Sequence, residues 1–138
     1  MFKEDLEFGE QKQKDVINIL SDFFLVKESV GYDKEKDLEI WGKIEVKYDR
    51  KATQTNNIAL EVRCNGKLSG LSATKSMAWV ICTDDGCWLC PLKDLKILAK
   101  VYGTHRFYWD NLVKGGDNKQ SEMALVPYFE IKKFIKIK

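Results

Sequence analysis

The chain has 138 residues, of which 44% are hydrophobic and 32% are charged. This length and composition predict one globular domain, residues 1–138, with enough apolar surface for a core. The 23 basic and 21 acidic residues give a net charge of only +2, which excludes an association with nucleic acid that rests on overall charge alone. Any basic surface must come from local clusters such as Lys43, Lys47, Arg50 and Lys51.

The first predicted element is a helix over residues 5–24, in which Val16, Leu20 and Phe23 recur at helical spacing. Alternating or continuous apolar runs then predict strands over residues 38–41, 44–48, 58–64, 79–82 and 88–90. A second helix is predicted over residues 92–102, a loop over residues 115–118, and a last short strand over residues 124–129. The order predicts an α/β (α+β) fold built around a mixed sheet.

The N-terminus carries charges at Lys3, Glu4 and Asp5, where a signal peptide needs an apolar run. No stretch reaches the roughly 18 apolar residues of a membrane span. We therefore expect a cytoplasmic protein without a membrane partner, and we expect its cysteines to be thiols.

Three chemically suggestive residues lie on a predicted hairpin with its turn at Gly42 and Lys43. Asp37 begins the first strand, while Glu45 and Lys47 share one face of the second. The carboxylates of Asp37 and Glu45 can hold Mg²⁺, with the Val46 carbonyl as a third oxygen ligand. The ammonium of Lys47 can orient the attacking water or stabilise the negative charge that develops on the phosphorane. On spacing alone, an exposed strand that carries an ordinary cross-strand charge pair is the favoured interpretation, because the pattern E-x-K is common.

The pattern resembles the PD-(D/E)xK nuclease superfamily, and in particular small nucleases of phages and other viruses and Holliday-junction resolvases. The stretches that carry the resemblance, in chain order, are residues 37–40, 44–49, 55–61, 69–71, 74–75, 79–80, 115–117 and 125–127. The chain departs from the pattern at Lys36, where the family often has proline.

The resemblance implies a restriction-endonuclease-like fold, with a mixed central sheet flanked by helices. It implies Mg²⁺ as cofactor, replaceable by Mn²⁺, with Asp37, Glu45 and Val46 as metal ligands and Lys47 as a catalytic residue. The family commonly adds a glutamate from the first helix. By register that position falls on Gln13, but Glu10 keeps the negative charge, and we favour Glu10 as the fourth catalytic residue.

The same resemblance and the chemistry of the side chains suggest DNA contacts at residues spread over the chain. The candidates are Gln13, Arg50, Lys51, Glu61, Ser69 and Lys75. Alternatively, Glu10 is simply a favourable acidic residue in the first turn of the helix, and Glu61 is a solvent-facing residue of its strand.

The resulting functional hypothesis is a metal-dependent endonuclease that hydrolyses phosphodiester bonds in branched or duplex DNA, in the manner of a Holliday-junction resolvase. A homodimer would suit cleavage of two strands, and a viral origin would place the protein in the host cytoplasm. The alternatives are a nicking enzyme or exonuclease of viral DNA processing, and an inactive DNA-binding module of the same fold.

Two further clusters contain residue types that can bind metal or nucleic acid. Cys82, Cys87 and Cys90, with Cys64 at a distance, lack the paired spacing of a zinc ribbon, and buried thiols are the favoured interpretation. His105 and Arg106 precede Phe107, Tyr108 and Trp109. These residues could contact DNA by charge and stacking. The interpretation that we favour is that the aromatic side chains lie in the core and that only His105 and Arg106 are exposed beside them.

Overall fold

The computed structural model describes residues 3–12, 44–116, 118 and 120–138. Asp37, Gln13 and the first strand of the predicted hairpin lie outside this part. The helices are α1 (residues 3–12), α2 (Ala52–Thr55), α3 (Leu92–Gly103) and α4 (Tyr128–Ile131). The strands are β1 (Ile44–Tyr48), β2 (Asn57–Cys64), β3 (Lys67–Leu68), β4 (Ala78–Thr83), β5 (Gly86–Pro91), β6 (Val113–Gly115), β7 (Ser121–Pro127) and β8 (Ile135–Lys136).

The α/β class is confirmed, and so are the strands predicted from residues 44, 58, 79 and 88 onward. The prediction for residues 124–129 is wrong at its end, because β7 stops at Pro127 and Tyr128 begins α4. Proline lacks the N–H that a ladder needs, so the strand cannot continue through it. The loop predicted over residues 115–118 lies further along the chain than expected, since Gly115 still belongs to β6, Gly116 turns the chain with φ +71°, and β7 begins at Ser121.

The described strands form two sheets of four strands each. Sheet A has the order β1-β4-β5-β8 and is mixed, with β1 parallel to β4 and the other pairs antiparallel. Sheet B has the order β3-β2-β7-β6 and is antiparallel throughout. Among the described residues, β1 is thus an edge strand, with one side of its backbone left without a strand partner.

Strand β4 is buried along its whole length because apolar layers cover both of its faces. Trp79 and Ile81 face the main core, which also contains the inward side chains of sheet B and of α3. Val80 and Cys82 face a smaller apolar cluster that Ile44 and Val46 of β1 join. No helix in the described part of the chain is long and apolar enough to cross a membrane.

The 3-10 turn Gly70–Ser72 packs directly onto the backbone of β2. A Cβ atom at Gly70 would lie 2.4 Å from the carbonyl oxygen of Glu61, and the φ of Gly70 is +51°. Gly66 also has a positive φ, +76°, but no atom lies within 4 Å of the place where its Cβ would be. The two glycines therefore share a left-handed backbone and differ in the space around them.

We predict that Gly70→Ala lowers the free energy of unfolding by about 3–5 kcal/mol, because it adds a backbone clash to the cost of a left-handed alanine. Gly66→Ala is the matched control and should lose only about 1–2 kcal/mol. Urea denaturation of both variants measures the difference. Equal losses would contradict the tight packing of Gly70.

The loop after α3 is organised by the carboxylate of Asp110, which accepts hydrogen bonds from the backbone N–H groups of His105, Arg106 and Phe107. These bonds, that of His105 first, lower the pKa of Asp110 to about 2.

The prediction that the three aromatic residues of this loop lie in the core is wrong for two of them. Phe107 and Tyr108 are 76% and 64% exposed, and only Trp109 is buried.

Asp110→Asn should accelerate amide hydrogen exchange at the three N–H groups that its carboxylate holds, while Asp84→Asn, on a different turn, should leave them unchanged. Because the folded pKa is depressed, the ordering contribution is present above the ordinary aspartate pKa and is lost as the pH falls through about 2. Protection of these amides in the wild type should therefore persist at a pH where ordinary aspartates are largely protonated. Exchange that is insensitive to Asp110→Asn would refute this account.

Candidate functional site

Glu45 and Lys47 project from β1 on the face of sheet A that continues into the main core. The parallel register sets Glu45 beside Trp79 and Lys47 beside Ile81. Side chains of paired residues lie on the same face of a sheet. The predicted alternation is therefore confirmed for Glu45 and Lys47, and the two charged residues stand where the apolar inner face of sheet A reaches its edge.

Hydroxyl groups and an ammonium hold the carboxylate of Glu45. Its Oε1 atom accepts hydrogen bonds from the hydroxyl of Thr74 and, at 2.9 Å, from that of Ser76. Its Oε2 atom lies 2.9 Å from Nζ of Lys47. The pKa of Glu45 is lowered, first by the Thr74 hydrogen bond and further by Lys47 and Ser76, against the opposing effect of burial. The site therefore keeps an anionic oxygen donor.

Lys47 has a second partner besides Glu45. Its Nζ atom lies 4.9 Å from the centre of the Trp79 ring, whose negative face attracts a cation. The Lys47 side chain is nevertheless 46% exposed, so its ammonium is positioned from two sides and still accessible to a ligand.

A cleft of about 460 Å³ opens beside this pair, between β1 and β2. Lys47 and Trp79 line it on the sheet A side, and Asp49, Glu61 and Gly70 also line it. The carboxylate of Asp49 accepts hydrogen bonds from the backbone N–H of Lys51, at 2.9 Å, and of Ala59, at 3.5 Å. Asp49 therefore links the end of β1 to β2 at the wall of the cleft.

The carbonyl of Val46 points away from β4, to the edge of β1 that has no strand partner among the described residues. The backbone N–H of Asp49 donates to the carbonyl of Cys82 on β4, at 2.8 Å. Backbone groups of alternate strand residues point the same way, so those of Lys47 also face β4 and those of Val46 face away. The Val46 oxygen is thus not used in the β1–β4 ladder.

The other predicted site residues in sheet B and its loops are not gathered around Glu45. Glu61 lines the cleft, but it belongs to a different sheet from Glu45, and its carboxylate accepts a hydrogen bond from the Ser121 hydroxyl. Ser69 donates its backbone N–H to Val62, and its buried hydroxyl has no partner in the described part of the chain.

Lys75 is exposed between Thr74 and Ser76, which hold Glu45. Its ammonium is therefore on the segment that borders the site. Lys51 is also exposed, directly before α2 and two residues after Asp49, the last cleft-lining residue of that segment.

Arg50 and the first helix form a separate contact. Arg50 pairs with Asp5 at 3.1 Å and lies 5.2 Å from the centre of the Phe8 ring. A Cβ at Gly9 would meet the Tyr48 ring at 2.3 Å, so α1 rests on the end of β1 through this side. Glu10 is exposed, and since successive helix residues are rotated by about 100°, it points away from the side that carries Asp5 and Phe8.

Of the predicted metal ligands, the described residues include Glu45 and Val46. Within residues 3–12, 44–116, 118 and 120–138, no group of three or more His, Cys, Asp or Glu side chains is arranged to hold a metal. Cys82, Cys87 and Cys90 are buried in β4 and β5, and burial raises the pKa of the Cys90 thiol to about 12.

Four residues contribute to this site without having been assigned a role from the sequence. Thr74 and Ser76 are separated from Glu45 by 29 and 31 residues, and nothing in the sequence indicates that a loop hydroxyl returns to β1. Trp79 was assigned to a strand, and Asp49 follows Lys47 by two residues. The alternation that places Lys47 and Asp49 on one strand face was the available signal for Asp49.

Comparison of the chain with protein-family models, with curated proteins and with solved structures finds no match.

Thr74→Val should lower the free energy of unfolding at neutral pH by about 1–2 kcal/mol, because it removes a hydrogen bond to a charged acceptor. It should also raise the pKa of Glu45, measurable by NMR titration. The depressed pKa means that this stabilisation is present above the ordinary glutamate pKa and is lost as the pH falls through the folded pKa, so the two proteins should converge in acid. Thr53→Val, which makes no contact with Glu45, is the control. An unshifted Glu45 pKa in Thr74→Val would contradict this assignment.

Proposed function

We propose that this protein is a Mg²⁺-dependent DNA endonuclease whose active site is built on β1. The observation that carries the proposal is the pairing of Glu45 with Lys47, at 2.9 Å, on one strand face beside an open cleft. An anionic oxygen donor and an accessible ammonium side by side are the groups that phosphodiester hydrolysis needs from a protein.

The donor set suits a hard cation. Mg²⁺ prefers oxygen ligands and commonly takes one or two protein carboxylates together with water and substrate oxygens. Glu45 supplies a carboxylate that its hydroxyl partners keep ionised, and Val46 supplies a carbonyl oxygen outside the β1–β4 ladder. Asp37 is the second carboxylate in this proposal. A bound Mg²⁺ would polarise a phosphate oxygen and acidify a water molecule.

Lys47 has the role of the charge-stabilising group. In the absence of substrate its ammonium rests on Glu45 and over Trp79. Both contacts hold it at the rim of the cleft, where a phosphate oxygen can replace the carboxylate as its partner. The Trp79 ring keeps the position of the ammonium when that exchange occurs, since its attraction to a cation does not depend on Glu45.

Thr74 and Ser76 orient Glu45 rather than react. Their hydroxyls hold one oxygen of the carboxylate, which leaves the oxygen next to Lys47 as the one directed to a ligand. Fixing a metal-binding carboxylate in this way is a common outer-shell arrangement, and such partners affect metal affinity by about 10–100-fold.

The substrate class in this proposal is branched or duplex DNA, and the fold class is the restriction-endonuclease-like arrangement that the sequence resembles. The place of β1 at the end of the strand order of sheet A supports it, because among the described residues no strand pairs with the side of β1 that faces away from β4, and a further strand carrying Asp37 could pair there. Exposed Lys51 and Lys75 near the cleft supply cationic contacts for the DNA backbone.

The test is cleavage of a four-way junction and of a linear duplex in Mg²⁺ or Mn²⁺. We predict that the wild type cleaves and that Lys47→Met slows cleavage by about 10²–10³-fold, the typical loss when one charge-stabilising donor is removed. Glu45→Gln should reduce cleavage by at least about 10²-fold and should abolish its dependence on the Mg²⁺ concentration.

A matched pair exists as a control. Glu130 and Lys133 on and after α4 also lie 2.9 Å apart, so Glu130→Gln and Lys133→Met make the same chemical changes away from the cleft. They should leave cleavage at the wild-type rate. The nuclease proposal fails if the wild type cleaves neither substrate, or if the control variants lose as much activity as the β1 variants.

A further inference from the structure

A second groove of about 450 Å³ lies on α3 and is bordered by Leu71 and Ser72 of the 3-10 turn. Its charged lining residues are Lys93, Lys96 and Lys100, and Tyr108 and Trp109 also line it. The lysines recur at helical spacing on one face of α3, over a length of about 10 Å. We call this surface the lysine groove.

The charged side chains that line the lysine groove are all basic. None of its described lining residues is acidic. Asp94, the acid of the first turn of α3, lies instead on another hollow that Glu130 also lines. In a chain with a net charge of only +2, this separation of charge along one helix gives a local site that attracts an anionic polymer.

The lysine groove also contains an exposed aromatic ring that is not part of the core. Tyr108, which lines the groove, is 64% exposed, and the aliphatic lining residue Ile97 is 52% exposed. Phe107 precedes Tyr108 outside the lining and is 76% exposed. The Nζ atom of Lys100 lies 5.8 Å from the centre of the Tyr108 ring. A flat ring next to an ammonium can stack a base while the ammonium contacts the neighbouring phosphate.

The loop that carries these rings is held in place. Asp110 fixes the backbone from His105 to Phe107, and the Asn111 side chain donates to the carbonyl of Tyr102 at 2.8 Å. Trp109 adopts a left-handed backbone with φ +56°, an uncommon conformation for a bulky residue that costs about 1–3 kcal/mol. This turn places Trp109 in the core and leaves Tyr108 outside.

We propose that the lysine groove binds single-stranded DNA, with phosphates on Lys93, Lys96 and Lys100 and a base on Tyr108. This inference deepens the proposed nuclease function and rests on it for the choice of DNA. The groove and the cleft share the Gly70–Ser72 turn, since Gly70 lines the cleft while Leu71 and Ser72 line the groove. The substrates would then be DNA molecules in which an unpaired strand adjoins the scissile bond.

Single-stranded DNA suits the groove better than an acidic peptide does. An exposed ring beside lysines at regular intervals matches a base and its neighbouring phosphates. Duplex DNA hides the base faces in its stack, so it would use the lysines and leave Tyr108 unused.

The test measures the binding of fluorescein-labelled oligodeoxythymidylate to the full chain by fluorescence anisotropy in EDTA, so that no cleavage intervenes. Lys93→Gln, Lys96→Gln and Lys100→Gln combined should weaken binding by at least about tenfold and reduce the slope of log K against log salt by about 2. Tyr108→Ala should weaken binding by about 5- to 100-fold.

Controls separate these effects from general loss of charge or of folding. Lys114→Gln, Lys132→Gln and Lys136→Gln combined remove as much charge outside the groove and should leave affinity within about twofold of the wild type. Because Tyr108 contacts Trp109 with ring centres 4.6 Å apart, Tyr108→Ala is accompanied by Tyr108→Phe, which keeps the ring and should retain binding. Thermal unfolding checks each variant.

The proposal is overturned if both lysine triple variants lose affinity equally, if Tyr108→Ala binds like the wild type, or if poly-L-glutamate displaces the oligonucleotide as effectively as unlabelled oligodeoxythymidylate does. Cleavage in Mg²⁺ is assayed separately. A protein that binds the oligonucleotide through the groove but cleaves no DNA would refute the nuclease proposal and leave the groove assignment standing. A protein that cleaves DNA but binds no oligonucleotide in the groove would do the reverse.

Discussion

The candidate site depends on the parallel pairing of β1 with β4. This pairing sets Glu45 and Lys47 in line with Trp79 and Ile81, on the face of sheet A that forms the main core. One strand further in, the same face is apolar and closed. At β1 it meets solvent, and its side chains are charged. Glu45 and Lys47 therefore have a rigid hydrophobic support on one side and an open cleft on the other, which is how a protein holds charged groups without burying them.

The rigidity of this edge comes from polar contacts that converge on β1 from several segments. Thr74 and Ser76 reach Glu45 from the loop before β4, and Asp49 connects β1 to the backbone of β2. Each contact is modest by itself, since Glu45, Thr74 and Asp49 are partly exposed and only Ser76 is buried. Together they reduce the number of side-chain arrangements open to Glu45 and Lys47, and preorganised charge is what distinguishes a reactive site from a surface ion pair.

Whether the sequence predicts a contact depends on how far apart along the chain the two contacting residues lie. Alternation over residues 44–48 places Glu45 and Lys47 together because strand geometry is local. The hydroxyl partners of Glu45 are 29 and 31 residues away, and their arrival depends on how the chain crosses from sheet B back to sheet A. Local pattern contains no information on that crossing. The division of the strands into two sheets is likewise a tertiary property.

Phe107, Tyr108 and Trp109 show the same limit at the scale of one loop. Composition treats three consecutive aromatic residues alike, and burial in the core is the ordinary expectation for them. Their fates differ because Trp109 alone takes a left-handed backbone and packs against Gly103, while Asp110 holds the preceding turn away from the core. The exposed rings are thus the result of specific polar contacts and backbone strain. A left-handed backbone at a bulky residue persists only where the surrounding structure maintains it. In this chain it keeps Tyr108 exposed next to the three lysines of the lysine groove, which favours a role of Tyr108 in binding a ligand over a role in packing the core.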